Sequence, residues 1–199
     1  MLNIVIHLCI YLASRMGFLE VVQLILDNIE GDKNPKSITN GQTPLHWAAK
    51  NGHLKVVELL IDNIPIEQRN PKSKCGWTPM HEALFYDHYE VYEFLLDHIN
   101  ENDKNPKVPS GATPLHWIAK KGHFDLAKKL LENIQGDKNP AGDQNRTPLH
   151  YASMFGNIEV VRLLLDNIEG DKNPLTEDGK SPLDLAKTEE IKDLIQSYL

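Results

Sequence analysis

The sequence predicts an all-α fold: a solenoid of helix–turn–helix repeats joined by β-hairpin-like loops. Three observations carry that prediction. First, Thr43, Thr78, Thr113, Thr147 and Ser181 each open a Thr/Ser-Pro-Leu/Met tripeptide, at spacings of 35, 35, 34 and 34 residues. Second, a marker keeps the same phase: "GDKNP" at Gly31–Pro35, Gly136–Pro140 and Gly170–Pro174, "NDKNP" at Asn102–Pro106, and a degenerate "EQRNP" at Glu67–Pro71. Third, apolar residues recur at helical spacing between the markers, as in Leu54, Val57, Leu60 and Ile61. A fixed period of this length is the signature of stacked units, none of which buries its apolar side alone.

Each unit parses in chain order. Thr43 is placed to cap a helix, its hydroxyl meeting a free amide of the first turn. Pro44 follows at the first helical position, where no hydrogen bond is lost. Gly52 ends this short helix at a left-handed residue. The second helix is "HLKVVELLIDN". Asn-Pro and a further glycine (Gly41, Gly76, Gly111, Gly179) then mark an exposed turn, with Asn145 standing in for that glycine in the fourth repeat. The first unit lacks the tetrapeptide: Tyr11 falls where histidine stands elsewhere, and Gly17 keeps the turn. The last has Asp184 in that place and a polar run, Lys187–Glu190, where the turn glycine belongs. Both read as capping units, which a solenoid needs with a polar outer side. The expected organisation is one domain, 1–199. A capping unit covers about 1–39, four full repeats cover about 40–74, 75–109, 110–143 and 144–177, and a second cap covers 178–199.

The period and the "TPLH…A…G" signature resemble the ankyrin repeat family over nearly the whole chain. Thr43–His46, Thr113–His116 and Thr147–His150 match its tetrapeptide outright. The family's usual period is slightly shorter; Ile29, Ile64, Ile99, Ile134 and Ile168 sit in a lengthened exit from the second helix. The resemblance implies a non-catalytic module that binds another protein or peptide. Partners would meet the concave side, built from hairpin tips and the exposed face of each first helix. It also implies that the tetrapeptide histidines hydrogen-bond within and between units.

Composition narrows the function classes. The 199 residues carry a net charge of −7, which disfavours wholesale nucleic-acid binding. Two cysteines, Cys9 at a position expected to be buried and Cys75 in a loop, build neither a disulfide framework nor a metal site. A reducing intracellular setting is the expectation. The opening "MLNIVIHLCIYLAS" lacks a basic leader region, is too short to span a membrane and runs into the repeat pattern, so folded structure and no membrane insertion are expected. Of nine histidines, His46, His81, His116 and His150 hold the tetrapeptide place, and His53, His88 and His123 begin second helices. His98 lies near a helix C-terminus, and His7 stands apart. Seven of nine thus follow the repeat, against a metal site. No nucleophile elbow or phosphate loop is present, and no enzyme activity, cofactor or metal is expected. Asp-Lys-Asn-Pro reads as a turn with Asx side-chain bonds.

Positions that vary while the framework repeats are the candidate recognition surface. The tips carry Gln42, Trp77, Ala112, Arg146 and Lys180. The exposed first-helix pairs are Arg15/Met16, Lys50/Asn51, Phe85/Tyr86, Lys120/Lys121, Met154/Phe155 and Thr188/Glu189. From these, the partner-binding set is Gln42, Lys50, Asn51, Trp77, Phe85, Tyr86, Ala112, Lys120, Lys121, Arg146, Met154 and Phe155. The unit "TPMHEALFYDHYE" breaks the pattern most, with Leu84 at a small-residue position and Asp87 at the turn glycine. Trp77, Phe85 and Tyr86 form either an exposed hot spot or an inward-folded cluster displaced by Leu84. Lys36, Lys72, Lys74 and Lys107 either form a basic stripe with the first-helix lysines or block hairpin edges. A small-ligand or oligonucleotide reader on the same surface is the alternative, with Trp77, Lys74 and Tyr86 as its nearest set. The chain alone is expected to be monomeric.

Overall fold

A computed structural model describes the backbone at residues 2–100 and 104–199, with side chains from residue 5 onward. The chain falls into two compact units, Met1–Asp103 and Lys104–Leu199. Unit 1 holds three helix pairs: α1 (Leu2–Met16) with α2 (Leu19–Asn28), α3 (Pro44–Lys50) with α4 (Leu54–Asn63), and α5 (Pro79–Phe85) with α6 (Tyr89–His98). First helices stack on first helices, α1 on α3 on α5, and second helices likewise, α2 on α4 on α6. Unit 2 repeats the plan with α7 (Pro114–Lys121) and α8 (Phe124–Asn133), then α9 (Pro148–Phe155) and α10 (Ile158–Asn167), against which the single helix α11 (Glu189–Gln196) packs. No β-strand forms among the described residues. The loops fold back through isolated bonds such as Ser37 N to Gln42 O at 2.8 Å and Ser73 N to Trp77 O at 2.8 Å. No helix among the described residues is long and apolar enough to cross a membrane.

The layers are held by side chains with no exposure, among them Leu45, Leu60 and Leu95 in unit 1 and Leu115, Leu130 and Leu164 in unit 2. Each contributes roughly 2 kcal/mol relative to an exposed position. Second helices end at an isoleucine in extended conformation (Ile29, Ile64, Ile99, Ile134, Ile168), so the lengthened exit is a turn out of the helix rather than an extra helical residue.

Each Thr-Pro-x-His turn forms a reciprocal cap. Thr43 N donates to His46 Nδ1 at 3.1 Å, while Thr43 Oγ1 accepts from His46 N at 3.4 Å. The Thr N–H to imidazole bond recurs at Thr78/His81, Thr113/His116 and Thr147/His150. The other ring nitrogen reaches the next repeat. His46 Nε2 donates to Trp77 O at 3.0 Å, His116 Nε2 to Arg146 O at 3.1 Å and His150 Nε2 to Lys180 O at 3.2 Å. Tyr11 does the same work in the first unit, its hydroxyl donating to Gln42 O at 3.1 Å and also to Pro35 O. Burial drives the His46 and His116 imidazoles down to about 4, with carbonyl acceptors pulling the other way, and lowers His150 as well.

A second strap runs backward. His53 Nε2 donates to Arg15 O at 3.0 Å, His88 Nε2 to Lys50 O at 3.1 Å, and Asn157 Nδ2 to Ala119 O at 2.7 Å. These side chains lie directly against the turn glycines Gly17, Gly52 and Gly122. A Cβ at Gly52 would sit 2.5 Å from His88 Nδ1, and φ there is +72°, so both space and backbone call for glycine. Asp87 occupies the same turn position at φ 62°, with Tyr89 donating its hydroxyl to Asp87 Oδ1 at 2.6 Å. Asn145 takes positive φ as expected, and so does its neighbour Gln144.

The Asp-Lys-Asn-Pro marker is structural in each described copy. Asp32, Asp137 and Asp171 accept from the amide two residues on. Asn34, Asn105, Asn139 and Asn173 each accept from the amide of the second residue of the following Pro-Leu pair (Leu45, Leu115, Leu149, Leu183). Lys33, Lys104 and Lys138 reach Asn63, Asn133 and Asn167 at the end of the next second helix. Asn102 and Asp103 of the third copy lie outside the described residues.

Two expectations about the first unit change. Cys9 is exposed rather than buried, because nothing among the described residues covers that side of α1. The outer side of this unit is apolar, with Val5, Leu8, Leu12, Phe18 and Val21 all exposed. Val21 is 44% exposed, whereas Val56 and Val91, one and two repeats on, are buried against the preceding second helix. The last unit does present a polar side, through Glu189, Glu190, Asp193 and Gln196.

Because the folded state holds His46 and His116 neutral, their contribution is complete above the ordinary histidine value of 6.5 and declines as pH falls toward about 4, and the lowered His150 acts in the same direction. Thermal melts should show a falling Tm between pH 6.5 and 5, above the ordinary carboxylate range, at about 1.4 kcal/mol per latched histidine per pH unit. The buried Glu82 carboxyl, raised above that range, acts in the opposite sense and is removed by running the melts on Glu82→Gln. A Tm that is flat or rises over that interval contradicts the assignment.

Candidate recognition surface

The tip and first-helix residues of unit 1 converge. Trp77 is carried on a loop whose carbonyl is pinned twice, by His46 Nε2 and by Ser73 N. Its half-buried ring meets Phe85 edge-on at 5.1 Å and 69°. Phe85 in turn meets Tyr86 edge-on at 5.1 Å and 73°. Phe85 is 50% exposed and Tyr86 42%, while Leu84 is 2% exposed. The inward-folded alternative is therefore excluded. Leu84 follows Ala83 and Met80 around the buried side of α5, and the next two residues emerge at the helix end.

Cations join the aromatics. Lys50 Nζ stands 4.9 Å from the Tyr86 ring centre and 5.3 Å from that of Trp47. The Arg15 guanidinium covers Trp47 at 5.2 Å. Three successive first helices thus alternate cation and ring from Arg15 through Trp47 and Lys50 to Tyr86, with Phe85 as a further ring at the end. Asn51, expected as a contact residue, caps α3 and donates Nδ2 to Trp47 O at 2.8 Å.

Gln42 stands differently from the other tip residues. It is 9% exposed, and its Nε2 donates to Oε1 of Glu82, on α5, at 2.7 Å. Glu82, which sequence reasoning did not single out, is 4% exposed and occupies the place held by Trp47, Trp117 and Tyr151 in the other repeats. Burial raises its pKa, opposed by the positive charge of Lys50 and by the Gln42 bond. The signal was present as a carboxylate at an otherwise aromatic position, facing an amide tip residue one repeat back.

In unit 2, Lys120 Nζ lies 5.3 Å from the Phe155 ring centre, and Phe155 is 40% exposed. Met154 is half-buried beside it, and Lys121 is exposed. Arg146 and Ala112 sit at loop tips, their carbonyls accepting from Gly142 N and Val108 N at 2.9 Å each. The rim lysines bridge neighbouring loops: Lys74 Nζ donates to Ile38 O at 2.6 Å and Lys36 Nζ to Lys72 O at 3.1 Å. A groove of about 700 Å³ lies instead among the exit loops, lined by Asp137, Lys138, Asn139, Asn167 and Asp171, several of them already engaged in the marker's structural bonds. Among the described residues no group of three His, Cys, Asp or Glu is placed to hold a metal ion.

A family model described as ankyrin repeats (3 copies) matches residues 9–108, 98–176 and 135–196. No curated protein matches the sequence. Among solved structures, the chain is similar to an ankyrin repeat domain from Acinetobacter baumannii AYE, with a TM-score of 0.80 and 21% identity, covering 95% of this chain and 96% of that one. It is also similar to the ankyrin repeat domain of Bcl-3, a member of the IkappaB protein family, with a TM-score of 0.73 and 21% identity over 94% of this chain and 81% of that one. At that identity the likeness extends to the fold.

Substitution of Glu82 tests the buried pair. Because its folded pKa is raised, the wild type is penalised once the carboxyl ionises, and the penalty vanishes below the ordinary value of 4.5. Glu82→Gln keeps an acceptor for Gln42 and needs no charge desolvation. It should raise Tm at pH 7 and match the wild type near pH 4; a lower Tm at pH 7 would show that the ionised carboxylate stabilises the fold.

Proposed function

Because the chain belongs to the ankyrin repeat family, whose repeats generally mediate protein–protein interaction, we propose that it is a non-catalytic scaffold that binds a protein or peptide through its first-helix and hairpin-tip surface. One observation carries the reading: Phe85 and Tyr86 are exposed and, with the half-buried Trp77 ring beside Phe85, form a contiguous aromatic patch that reaches solvent. Exposed aromatic surface lowers solubility, while buried aromatic anchors dominate binding energy at interfaces. Of the rest of the partner-binding set, Lys50 and Asn51 lie near the first-helix rings of unit 1, Lys120 lies over Phe155 with Met154 next to it in sequence, and Ala112 and Arg146 stand at loop tips. Gln42 enters through its bond to Glu82, on the helix that carries Phe85. A reducing intracellular setting fits the two exposed, unpaired thiols of Cys9 and Cys75. The oligonucleotide reading draws less support, since the ammonium of Lys74 is committed to the Ile38 carbonyl.

Phe85→Ala provides the test. Truncating a half-exposed ring opens no cavity, so Tm should stay within about 4 °C and helix content should not change. Proteins recovered on the immobilised full chain and identified by mass spectrometry should include species lost with the variant, at a cost of about 2 kcal/mol or more in affinity. Identical capture by wild type and variant overturns the proposal.

A further inference from the structure

We propose that the first-helix surface selects partner segments in which acidic residues flank an aromatic or large aliphatic anchor. This rests on the protein-binding reading above and specifies the chemistry of the partner. The chain as a whole is acidic, so the sign of this surface is not inherited from its composition. It arises from placement. Lys50, the last residue of α3, lies over the ring of Tyr86 at the end of α5, and Lys120, near the end of α7, lies over the ring of Phe155 at the end of α9. Tyr86 and Phe155 hold equivalent positions in their repeats, as do Lys50 and Lys120. The same cation–ring rung is thus built independently in each unit. Arg15 over Trp47 adds a third contact of the kind in unit 1.

The rung suits recognition of a carboxylate. A ring face partly desolvates the ammonium and restricts a long side chain, so less entropy is lost when a second group binds. The ring accepts no directed N–H bond, which leaves the ammonium donors for an acidic side chain arriving from solvent. Next to the unit 1 rung, Phe85 and the exposed part of Trp77 offer an apolar landing site for the anchor.

The acidic groups nearby each have a hydrogen-bond or ion partner, which orders them without removing their charge. Glu82 is buried, bonded to Gln42 and close enough to feel the Lys50 charge. Lys50 thus faces one carboxyl from within the fold and offers the rest of its field to solvent. Asp87 accepts from the Tyr89 hydroxyl. In unit 2, Asp184 caps Ser181 and Glu189 pairs with Lys192.

The test uses the full chain and labelled short peptides that alternate glutamate with phenylalanine, with glutamine or lysine versions as counterparts, followed by fluorescence anisotropy. The glutamate peptide should bind at least about tenfold more tightly than the glutamine peptide, and its advantage should shrink as salt is raised. Lys50→Gln should remove most of the preference and Lys50→Arg should retain it, with melts confirming that both variants are folded. Equal binding of the three peptides, binding of none, or preference for lysine overturns the proposal. A random peptide library panned on the same immobilised chain separates this failure from failure of the protein-binding reading. Enrichment of peptides without acidic residues, lost on Phe85→Ala, leaves that reading standing; no enrichment at all removes both.

Discussion

The repeats depend on one neutral imidazole used at both edges. Nδ1 accepts from the threonine that starts its own helix, and Nε2 donates to a carbonyl of the next hairpin tip. A protonated ring would carry hydrogen at both nitrogens and lose the acceptor, so burial and function of the latch require the same charge state. The latch also decides what the surface can do. Its acceptors are the backbone carbonyls of Trp77, Arg146 and Lys180, and Tyr11 reaches that of Gln42. These are the tip positions that vary between repeats. The framework therefore fixes the backbone of each tip and leaves its side chain free to change.

The same separation holds at the helix ends. His53, His88 and Asn157 reach back to carbonyls of Arg15, Lys50 and Ala119, at or next to the residues that carry the cations. Holding both the lysine backbone and the ring backbone makes the cation–ring rung a consequence of stacking rather than a chance surface contact. Preorganisation of this kind lowers the entropy lost on binding.

Much of this was legible in sequence because a repeat states its rules several times. Period, caps, left-handed turn residues and the structural sense of Asp-Lys-Asn-Pro each recur, so a deviation such as Asp87 stands out and its positive φ follows. The exposure of Phe85 and Tyr86 was not decidable there, because it turned on how α5 seats Leu84, a matter of packing. The Gln42–Glu82 bond joins residues 40 positions apart and breaks a pattern in two places at once, so neither substitution is interpretable alone. The apolar outer side of the first unit and the exposure of Cys9 escaped for a related reason. Their letters match positions that are covered in interior repeats, and exposure depends on what lies alongside.

The central claim is that the tetrapeptide histidines are neutral donors clamped between repeats. Nitrogen NMR of the imidazole side chains during an acid titration tests it most directly. His46 and His116 should show one tautomer, protonated at Nε2 and bare at Nδ1, and keep it down to about pH 5. Tautomer exchange at neutral pH, or protonation near 6.5 as for a free imidazole, would contradict the account.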